Sequence, residues 1–327
     1  MSEHRRSKTS ILVCSDANLT WQSAFVLNQA VNSVGTSDVQ PIYCFSENPF
    51  SVYSKDIFPR DTIFLDANKY MRDNKFVRKA HVSGATMLRF YAIDALCQSF
   101  EKIIYLDSDV FIRSAVLDEL VDLDLETMPV AGVLGRALWS NQPRLHYGRK
   151  YRQKLLGDSH DHYFNAGVMI INSQQYDDQE VTSRSLDFYY ANSELCKFSD
   201  QSALNAVLKD NWLEVSPKWN WQMSTNSYAI TDMVDPYIVH FTGPEKPWND
   251  PLGLFSGYQD AYERFCEDVG LGADLPSHKR RMVDKAKQEK LREKYKPWFG
   301  DTDEKLEDFS NYLGRFERCG VTIDRFN

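Results

Sequence analysis

The stretch EKIIYLDSDVFI, residues 101–112, passes through apolar residues and then places two acids one residue apart. Residues 102–106 form the near-continuous apolar run expected of a strand that is covered on both faces of a parallel sheet. Asp107 and Asp109 follow where that strand would end. Because ligands of open α/β sheets bind outside the carboxyl ends of strands, the two carboxylates can point at one hard cation. The alternative is a solvated turn in which Ser108 and Asp109 cap a following helix.

The composition sets the size and charge of the fold. The chain has 327 residues, of which 43% are hydrophobic, and a net charge of -8. This length fits one large α/β domain with additions or two smaller domains. The negative charge gives no reason to expect a nucleic-acid partner, and an anionic substrate would need local neutralisation.

Six scattered cysteines form no C-x-x-C pair and no spacing typical of zinc. We expect buried free thiols in a reducing compartment. The apolar run at residues 11–13 is too short for a signal peptide, and no stretch approaches the roughly 20 apolar residues of a spanning helix. These features predict a cytoplasmic protein.

Strand and helix patterns alternate along the chain. Strand composition occurs at residues 10–14, 40–45, 61–65, 130–134 and 167–171. Helix composition occurs at residues 21–34, 85–99, 184–191 and 201–208. The alternation is typical of βαβ units with right-handed crossovers. We expect an α/β fold.

The composition changes near residue 275. Residues 277–299 contain nine Lys or Arg against three acids, and residues 282–295 favour a helix. We therefore divide the chain into a catalytic domain, residues 1–275, and a helical, basic C-terminal extension, residues 276–327. The extension is either a solvated surface helix or an arm, tipped by Trp298, that contacts anionic lipid.

Three later segments place polar side chains beside apolar runs. In YFNAGVMIIN, residues 163–172, Asn165 precedes two small residues that allow close backbone approach. SDQSALN, residues 199–205, puts a carboxylate and an amide at a helix start. Each segment also has a local explanation, a turn-capping Asn and an ordinary helix N-cap.

The segment YIVHFTGPEKPW, residues 237–248, ends a strand in His240, and Gly243 and Lys246 follow. A His at a strand end can complete a metal site begun by two carboxylates. Gly243 can let backbone N–H groups approach a phosphate, and Lys246 can neutralise it. The pattern predicts a metal-bound phosphate group, with Mn²⁺ favoured over Mg²⁺ by the imidazole.

Six segments in order give the chain a family resemblance: ILVCSDANL, ATMLRFYAIDAL, IIYLDSDVFI, YFNAGVMIIN, SDQSALN and IVHFTGPEKPW. Over residues 10–250 it resembles glycosyltransferase family 8, the retaining family that includes glycogenin and bacterial lipopolysaccharide glucosyl- and galactosyltransferases. The resemblance implies a GT-A fold, a Rossmann-like mixed sheet flanked by helices. It also implies a UDP-sugar donor and Mn²⁺.

The resemblance implies a role for each matching position. The implied metal ligands are Asp107, Asp109 and His240. The implied donor-binding set is Asp16, Asn18, Arg89, Ser108, Gly243 and Lys246. The implied set around the donor sugar and the reacting carbon is Asn165, Asp200 and Gln201.

The chain departs from the family pattern at two places. Leu19 stands where many bacterial relatives carry an aromatic residue, and Gly135-Arg136 stands where they carry an acid that touches the donor sugar. The identity of the transferred sugar therefore stays open.

These observations predict a retaining glycosyltransferase that moves a hexose from a UDP-hexose donor to a hydroxyl of a saccharide or glycoconjugate acceptor. The basic extension would allow peripheral contact with the cytoplasmic face of a membrane. One alternative is a non-catalytic protein that binds a sugar nucleotide or glycan. The other is a haloacid-dehalogenase-type phosphatase, which also ends a strand with D-x-D but normally has Thr or Val where this chain has Phe111.

Overall fold

The structure is a computed structural model that describes residues 7–35, 39–71, 87–113, 117–139, 148–223, 227, 231–250, 255–271, 302–317 and 323–324. The strands are β1 (Ser7–Ser15), β2 (Val39–Phe45), β3 (Ile63–Asp66), β4 (Phe100–Leu106), β5 (Val110–Ile112), β6 (Val130–Leu134), β7 (Phe164–Asn172), β8 (Leu213–Val215), β9 (Trp221–Met223), β10 (Ile238–Phe241) and β11 (Ile323–Asp324). The helices are α1 (Thr20–Asn32), α2 (Asn68–Met71), α3 (Leu88–Cys97), α4 (Asp118–Asp122), α5 (Arg149–Leu156), α6 (Ser173–Asp178), α7 (Val181–Ala191), α8 (Ser199–Leu208), α9 (Thr231–Val234), α10 (Ser256–Asp268) and α11 (Thr302–Glu317).

A mixed sheet of eight strands, in the order β11-β8-β6-β7-β4-β1-β2-β3, organises the fold. Strand β1 is parallel to β2 and β4, whereas β7 is antiparallel to both β4 and β6. Helix α1 contacts β1 and joins it to β2, while helix α3 contacts β1 and leads into β4, as βαβ units require. The predicted α/β fold with a mixed sheet flanked by helices is confirmed.

The central strands are apolar because both of their faces are covered. The side chains of Ile11, Leu12 and Val13 in β1, and of Ile103 and Ile104 in β4, are fully buried. Burying one such side chain contributes about 1.5–3 kcal/mol. This core fixes the ends of β1 and β4 relative to each other, and it therefore positions whatever follows those ends.

The carboxyl ends of several strands meet at one edge of the sheet. Val13 near the end of β1 pairs with Leu106 at the end of β4. Strand β7, being antiparallel, begins at this same edge, where Phe164 pairs with Leu134 of β6. The strand predicted at residues 167–171 therefore begins earlier, at Phe164, and Phe164 is buried.

Strand β7 carries an irregularity next to this edge. Its pairing with β6 shifts from Gly132 opposite Met169 to Val133 opposite Asn165, which leaves three residues of β7, 166–168, without partners in β6. Bulges of this kind re-aim backbone and side chains at functional sites. Beside the irregularity, the Ala166 carbonyl accepts a hydrogen bond from Arg89, and the Gly167 carbonyl accepts one from the Asp107 amide.

A second sheet of three strands, in the order β5-β10-β9, begins immediately after the D-x-D. Strand β5 is antiparallel to β10, and Val110 pairs with His240. Asp109 therefore lies beside His240 although 131 positions separate them in the sequence. The alternative in which Ser108 and Asp109 cap a helix is wrong, because strand β5 follows them.

The described C-terminal elements pack against the main sheet. Strand β11 pairs with β8, and the Tyr312 hydroxyl of α11 donates to the Glu214 carboxylate at 2.5 Å. Tyr312 and Phe316 are buried in the same apolar cluster as the central strands. The predicted basic helix at residues 282–295 lies outside the described residues, and the boundary at residue 275 stays a prediction.

Five of the six cysteines lie in the described part of the chain, and all five are buried free thiols, as predicted: Cys14, Cys44, Cys97, Cys196 and Cys266. Among the described residues, no helix combines the length and the apolar character needed to cross a bilayer.

Candidate metal centre and active site

Three side chains converge at the edge where β4, β5 and β10 meet. Nε2 of His240 lies 3.2 Å from Oδ1 of Asp109 and 3.7 Å from Oδ2 of Asp107. One ligand atom from each residue falls within 4.8 Å of the other two. His240 is buried, whereas the Asp107 and Asp109 side chains remain 25% and 20% exposed. The acids can therefore share an ion with an incoming ligand.

The spacing of these atoms suits a divalent ion. Neighbouring ligands of an octahedral ion with bonds of about 2.1 Å lie about 3 Å apart. The two His240 distances, 3.2 and 3.7 Å, are close to this value. Two carboxylate oxygens and one imidazole nitrogen form a donor set that suits Mn²⁺ or Mg²⁺, and the nitrogen favours Mn²⁺.

Gly167 provides the space that this cluster occupies. A Cβ atom at this position would lie 2.1 Å from Cε1 of His240 and 2.9 Å from Oδ2 of Asp107. The Gly167 carbonyl also accepts a hydrogen bond from the Asp107 amide at 2.8 Å. The irregular start of β7 thus holds the first acid and leaves room for the imidazole.

Two amides fix the orientation of the His240 ring. Nδ1 of His240 lies 3.0 Å from Oδ1 of Asn220 and 3.1 Å from Oδ1 of Asn165. Asn220 in turn donates from Nδ2 to Oδ1 of Asn165 at 2.9 Å. Because both neighbours of Nδ1 are acceptor oxygens, Nδ1 carries the proton. When an ion binds, Nε2 would then be the nitrogen that coordinates it beside the two carboxylates.

Lys246 forms an ion pair with the carboxylate of Asp109. Its Nζ lies 2.6 Å from Oδ2 of Asp109 and also donates to the Phe241 carbonyl. Burial alone would raise the pKa of Asp109, but the charges and hydrogen bonds of His240 and Lys246 outweigh burial and hold the pKa well below its usual range. Asp109 is therefore a carboxylate, the form that binds metals.

Arg89 of α3 joins the first acid to a third carboxylate. Its Nη2 lies 3.1 Å from Oδ1 of Asp107, and its Nη1 donates to the Ala166 carbonyl at 2.7 Å. Its Nε lies 2.5 Å from Oδ2 of Asp200, an ion-pair contact in which the N–H does not point along a hydrogen bond. The guanidinium also lies over the ring of Tyr105, 4.5 Å from the centroid.

Burial affects the pKa values of both Asp200 and Arg89. It raises the pKa of Asp200 to about 6, although the charge of Arg89 opposes the shift. Burial would lower the pKa of Arg89, yet Asp200, Tyr105 and Asp107 together raise it. Arg89 is therefore always a cation, while Asp200 changes its charge near pH 6.

Gln201 completes the connection to β7. Its Oε1 accepts from the Ala166 amide at 3.1 Å, and its Nε2 donates to the Tyr163 hydroxyl at 3.0 Å. The residues of one connected network are Arg89, Asp107, Asp109, Asn165, Asp200, Gln201, His240 and Lys246. The sequence had proposed all eight for the site.

Four other predicted site residues lie outside that network. Asp16 and Asn18 follow β1 at the same sheet edge, where the Asp16 carboxylate accepts from the Asn18 amide. Ser108 is buried between the two acids. Gly243 lies in the turn before Lys246, and a Cβ there would make only ordinary contacts. The geometry alone gives no steric reason for glycine at that position.

Two residues in contact with the cluster were not predicted from the sequence. Tyr105, the penultimate residue of β4, donates from its hydroxyl to Oδ1 of Asp107 at 2.6 Å. The end of the strand thus supports the acid that follows it. Asn220 is fully buried, yet it stands in the aromatic stretch PKWNWQM. The sequence does offer one signal for Asn220: this aromatic stretch contains two amide side chains, Asn220 and Gln222, and buried polar groups need hydrogen-bond partners.

The chain also matches a known sequence family. The family described as Glycosyl transferase family 8 matches residues 31–251, about two thirds of the chain. The chain belongs to this family. Family 8 membership confirms the resemblance and makes the phosphatase alternative wrong.

Several curated proteins are similar to this family 8 chain. General stress protein A of Bacillus subtilis is 29% identical over 221 residues, which cover 62% of this chain and 71% of that protein. Lipopolysaccharide glucosyltransferase WaaO of Escherichia coli K12 is 27% identical over 175 residues, which cover 51% of this chain and 49% of that protein. The match thus spans about half of the length of WaaO.

Solved structures share the fold. Galactosyltransferase LgtC in complex with donor and acceptor sugar analogues aligns with a TM-score of 0.59 and 19% identity, over 82% of this chain and 97% of that one. Glycosyltransferase GlyE of Streptococcus pneumoniae aligns with a TM-score of 0.54 and 18% identity, over 80% of this chain and 63% of that one. The predicted GT-A fold is confirmed.

Proposed function

We propose that this family 8 glycosyltransferase is a metal-dependent, retaining hexosyltransferase that uses a UDP-hexose donor. The observation that carries the proposal is the convergence of Asp107, Asp109 and His240 at the carboxyl edge of the sheet, with Lys246 bound to one of the acids. In α/β sheets this edge is where ligands bind.

The charge of the network supports a divalent cation. Three carboxylates, on Asp107, Asp109 and Asp200, face two cations, Arg89 and Lys246. With His240 counted as a neutral metal ligand, this part of the site carries one more negative than positive charge. A diphosphate would be repelled by it. A bound Mn²⁺ would supply positive charge to offset both the carboxylates and the departing UDP.

The chain's own residues would then act on the donor in distinct ways. Asp107, Asp109 and His240 would hold the ion, and Lys246, which contacts Oδ2 of Asp109, would be close enough to bind a phosphate oxygen instead. Positive charge close to the leaving group is worth most in a site of low dielectric. Asp16 and Asn18 would bind uridine, and Ser108, Gly243 and Arg89 would contact the diphosphate and sugar.

The contacts of Asp200 and Gln201 bear on how configuration is retained. Asp200 is buried, and its Oδ2 lies against Arg89, while Oε1 of Gln201 accepts from the Ala166 amide. Neither oxygen is free to attack a sugar carbon. This favours attack of the acceptor on the face that UDP leaves, with Asn165, Asp200 and Gln201 positioning the sugar and stabilising its positive charge.

The test is a panel of α-linked UDP-hexoses, incubated with Mn²⁺, with Mg²⁺ or with a chelator. We expect metal-dependent release of UDP, and an α-glycoside by NMR when a saccharide acceptor is present. A β-linked product would contradict retention and leave the metal proposal intact. The same assay addresses the non-catalytic alternative, because a protein that only binds a sugar nucleotide releases neither UDP nor free sugar.

The basic segment at residues 277–299 supports a proposal of contact with anionic lipid on the cytoplasmic face of a membrane. Each basic residue near such a surface contributes about 1 kcal/mol. Since α11 packs into the core beyond this segment, truncation would also disturb the fold. The test is therefore a variant in which the nine Lys and Arg become Gln, compared with the unchanged chain in sedimentation with anionic liposomes.

A further inference from the structure

The turn that follows β6 carries a cation, Arg136, that forms no ion pair within the described part of the chain. Arg136 begins a 3₁₀ helix, Arg136–Leu138, at the sheet edge where β7 begins. Its Nη1 is buried without a hydrogen-bond partner, and no carboxylate among the described residues forms an ion pair with it. Burial lowers the pKa of Arg136. A guanidinium nevertheless keeps its charge in proteins.

The position of Arg136 is fixed relative to the metal cluster. Its amide donates to Oε1 of Gln222 at 2.8 Å, and Gln222 pairs in register with His240 on the neighbouring strand. Adjacent strands lie about 4.8 Å apart. The Gly135 amide donates to the carbonyl of Tyr163, whose hydroxyl accepts from Gln201. The backbone of Arg136 therefore lies beside the strand that carries His240.

The turn itself is rigidly supported. Nε1 of Trp139 donates to the Leu134 carbonyl at 2.9 Å, and its ring stacks on Trp221 at 4.9 Å between centroids. Gln222 donates from Nε2 to the same carbonyl at 2.8 Å. Arg136 itself is partly exposed, so a ligand at this edge can reach it. A supported cation with unused donors suits an anionic ligand group.

We infer that Arg136 binds an anionic group, a carboxylate or phosphate, carried by one of the two sugars that react in this site. The inference rests on the proposed function and narrows its substrate class. Arg136 is partly exposed, and a guanidinium carries five N–H donors in a planar fork that suits a carboxylate or a phosphate. The anion belongs either to the transferred sugar, as in a uronic acid, or to the acceptor, as in a sugar phosphate.

The experiment uses the full chain and one substitution, Arg136→Gln, which removes the charge and keeps hydrogen-bonding capacity. Arg60→Gln is the matched control, because Arg60 is exposed and precedes β3 at the opposite sheet edge. The donor pair is UDP-glucuronate and UDP-glucose. The acceptor pair is glucose 6-phosphate and glucose. Turnover and calorimetric affinity are measured in Mn²⁺ for all three proteins.

The unchanged chain and Arg60→Gln should prefer the anionic member of one pair by about tenfold to a hundredfold, and Arg136→Gln should lose that preference. The pair that responds identifies which sugar carries the anion. Equal selectivity in Arg136→Gln and the unchanged chain, in both pairs, would overturn the inference. Absence of turnover together with an Arg136-dependent calorimetric preference would instead overturn the proposed function and leave this inference standing.

Discussion

Oδ1 of Asn220 lies 3.0 Å from Nδ1 of His240, and this contact sets which nitrogen of the imidazole faces the two acids. The amide cannot be reversed without loss, because its Nδ2 donates to Asn165. The proton therefore stays on Nδ1, and Nε2 stays available as a ligand. Outer partners of this kind raise the metal affinity of a histidine and fix its orientation.

Substitution of Asn220 should weaken metal binding. Asn220→Ala removes an acceptor from Nδ1 of His240, and we expect Mn²⁺ affinity to fall about 10- to 100-fold. Asn220→Asp keeps an acceptor oxygen and should retain more affinity than the alanine variant. Calorimetric titration with Mn²⁺ measures both, and Asn211→Ala, at an exposed position, is the control. Unchanged affinity in folded Asn220→Ala would show that the contact has no role in metal binding.

Gly167→Ala should disturb the cluster directly. The added Cβ would lie 2.1 Å from Cε1 of His240, so the imidazole or the strand must move, at a cost of about 1–3 kcal/mol. We expect at least a tenfold loss of Mn²⁺ affinity. Gly257→Ala is the matched control, since its Cβ meets nothing within 4 Å and lies in α10. If both variants bind Mn²⁺ equally well, the close approach at Gly167 is not what shapes the site.

Lys246→Ala should weaken UDP binding even in saturating Mn²⁺. The lost charged contact with phosphate is worth about 1.5–3 kcal/mol, or about tenfold to a hundredfold in affinity. Lys154→Ala, an exposed lysine on α5, should leave UDP affinity unchanged. UDP calorimetry at two Mn²⁺ concentrations separates this effect from weaker metal binding. Recovery of normal UDP affinity at the higher Mn²⁺ concentration would mean that Lys246 acts only through the metal.

The raised pKa of Asp200 predicts a pH-dependent stability. Its pKa rises from an ordinary value near 3.9 to about 6 on folding, so the folded state holds the proton more tightly. This contribution to stability is complete below about pH 4 and is lost as pH rises through 6, a change of about 3 kcal/mol. Asp200→Asn serves as the reference protein, because an asparagine side chain does not titrate.

Denaturant unfolding of both proteins at pH 4.5 and 7.5 checks this expectation. Groups that titrate elsewhere contribute equally to the two proteins and cancel in the difference. The stability of the unchanged chain relative to Asp200→Asn should therefore decrease at the higher pH. An increase would mean that the charge of Arg89 outweighs burial at Asp200.

The sequence was sufficient for the parts of the site that follow strands. The apolar run ending at Leu106 predicts a strand end, and ligands of α/β sheets bind outside strand ends. His240 lies within β10 of the second sheet, and it was the family resemblance that assigned it to the same site as the two acids. Asn220 could not be found in this way. Its contact with His240 exists only because β9 pairs with β10, and no local pattern in the sequence specifies that pairing. The same reason applies to Arg136, whose position depends on Gln222 of β9.

The segment after the D-x-D shows a second limit of prediction from the sequence. Ser108 and Asp109 are good helix-capping residues, so a helix was a reasonable alternative locally. Three residues of β5 form a strand instead because they pair with β10, which is far away in sequence. Short strands of this kind depend on their partners more than on their own propensity.

The central claim is that Asp107 and Asp109 hold a metal required for cleavage of the donor. The most direct measurement is Mn²⁺-dependent UDP release from a UDP-hexose by Asp107→Asn and Asp109→Asn, with circular dichroism to confirm folding and Asp187→Asn as an exposed control. Each substitution removes one charge with little change in volume. We expect rates lower by a factor on the order of a thousand or more, and a normal rate for the control. Folded Asp107→Asn and Asp109→Asn proteins with near-normal Mn²⁺-dependent release would contradict the claim.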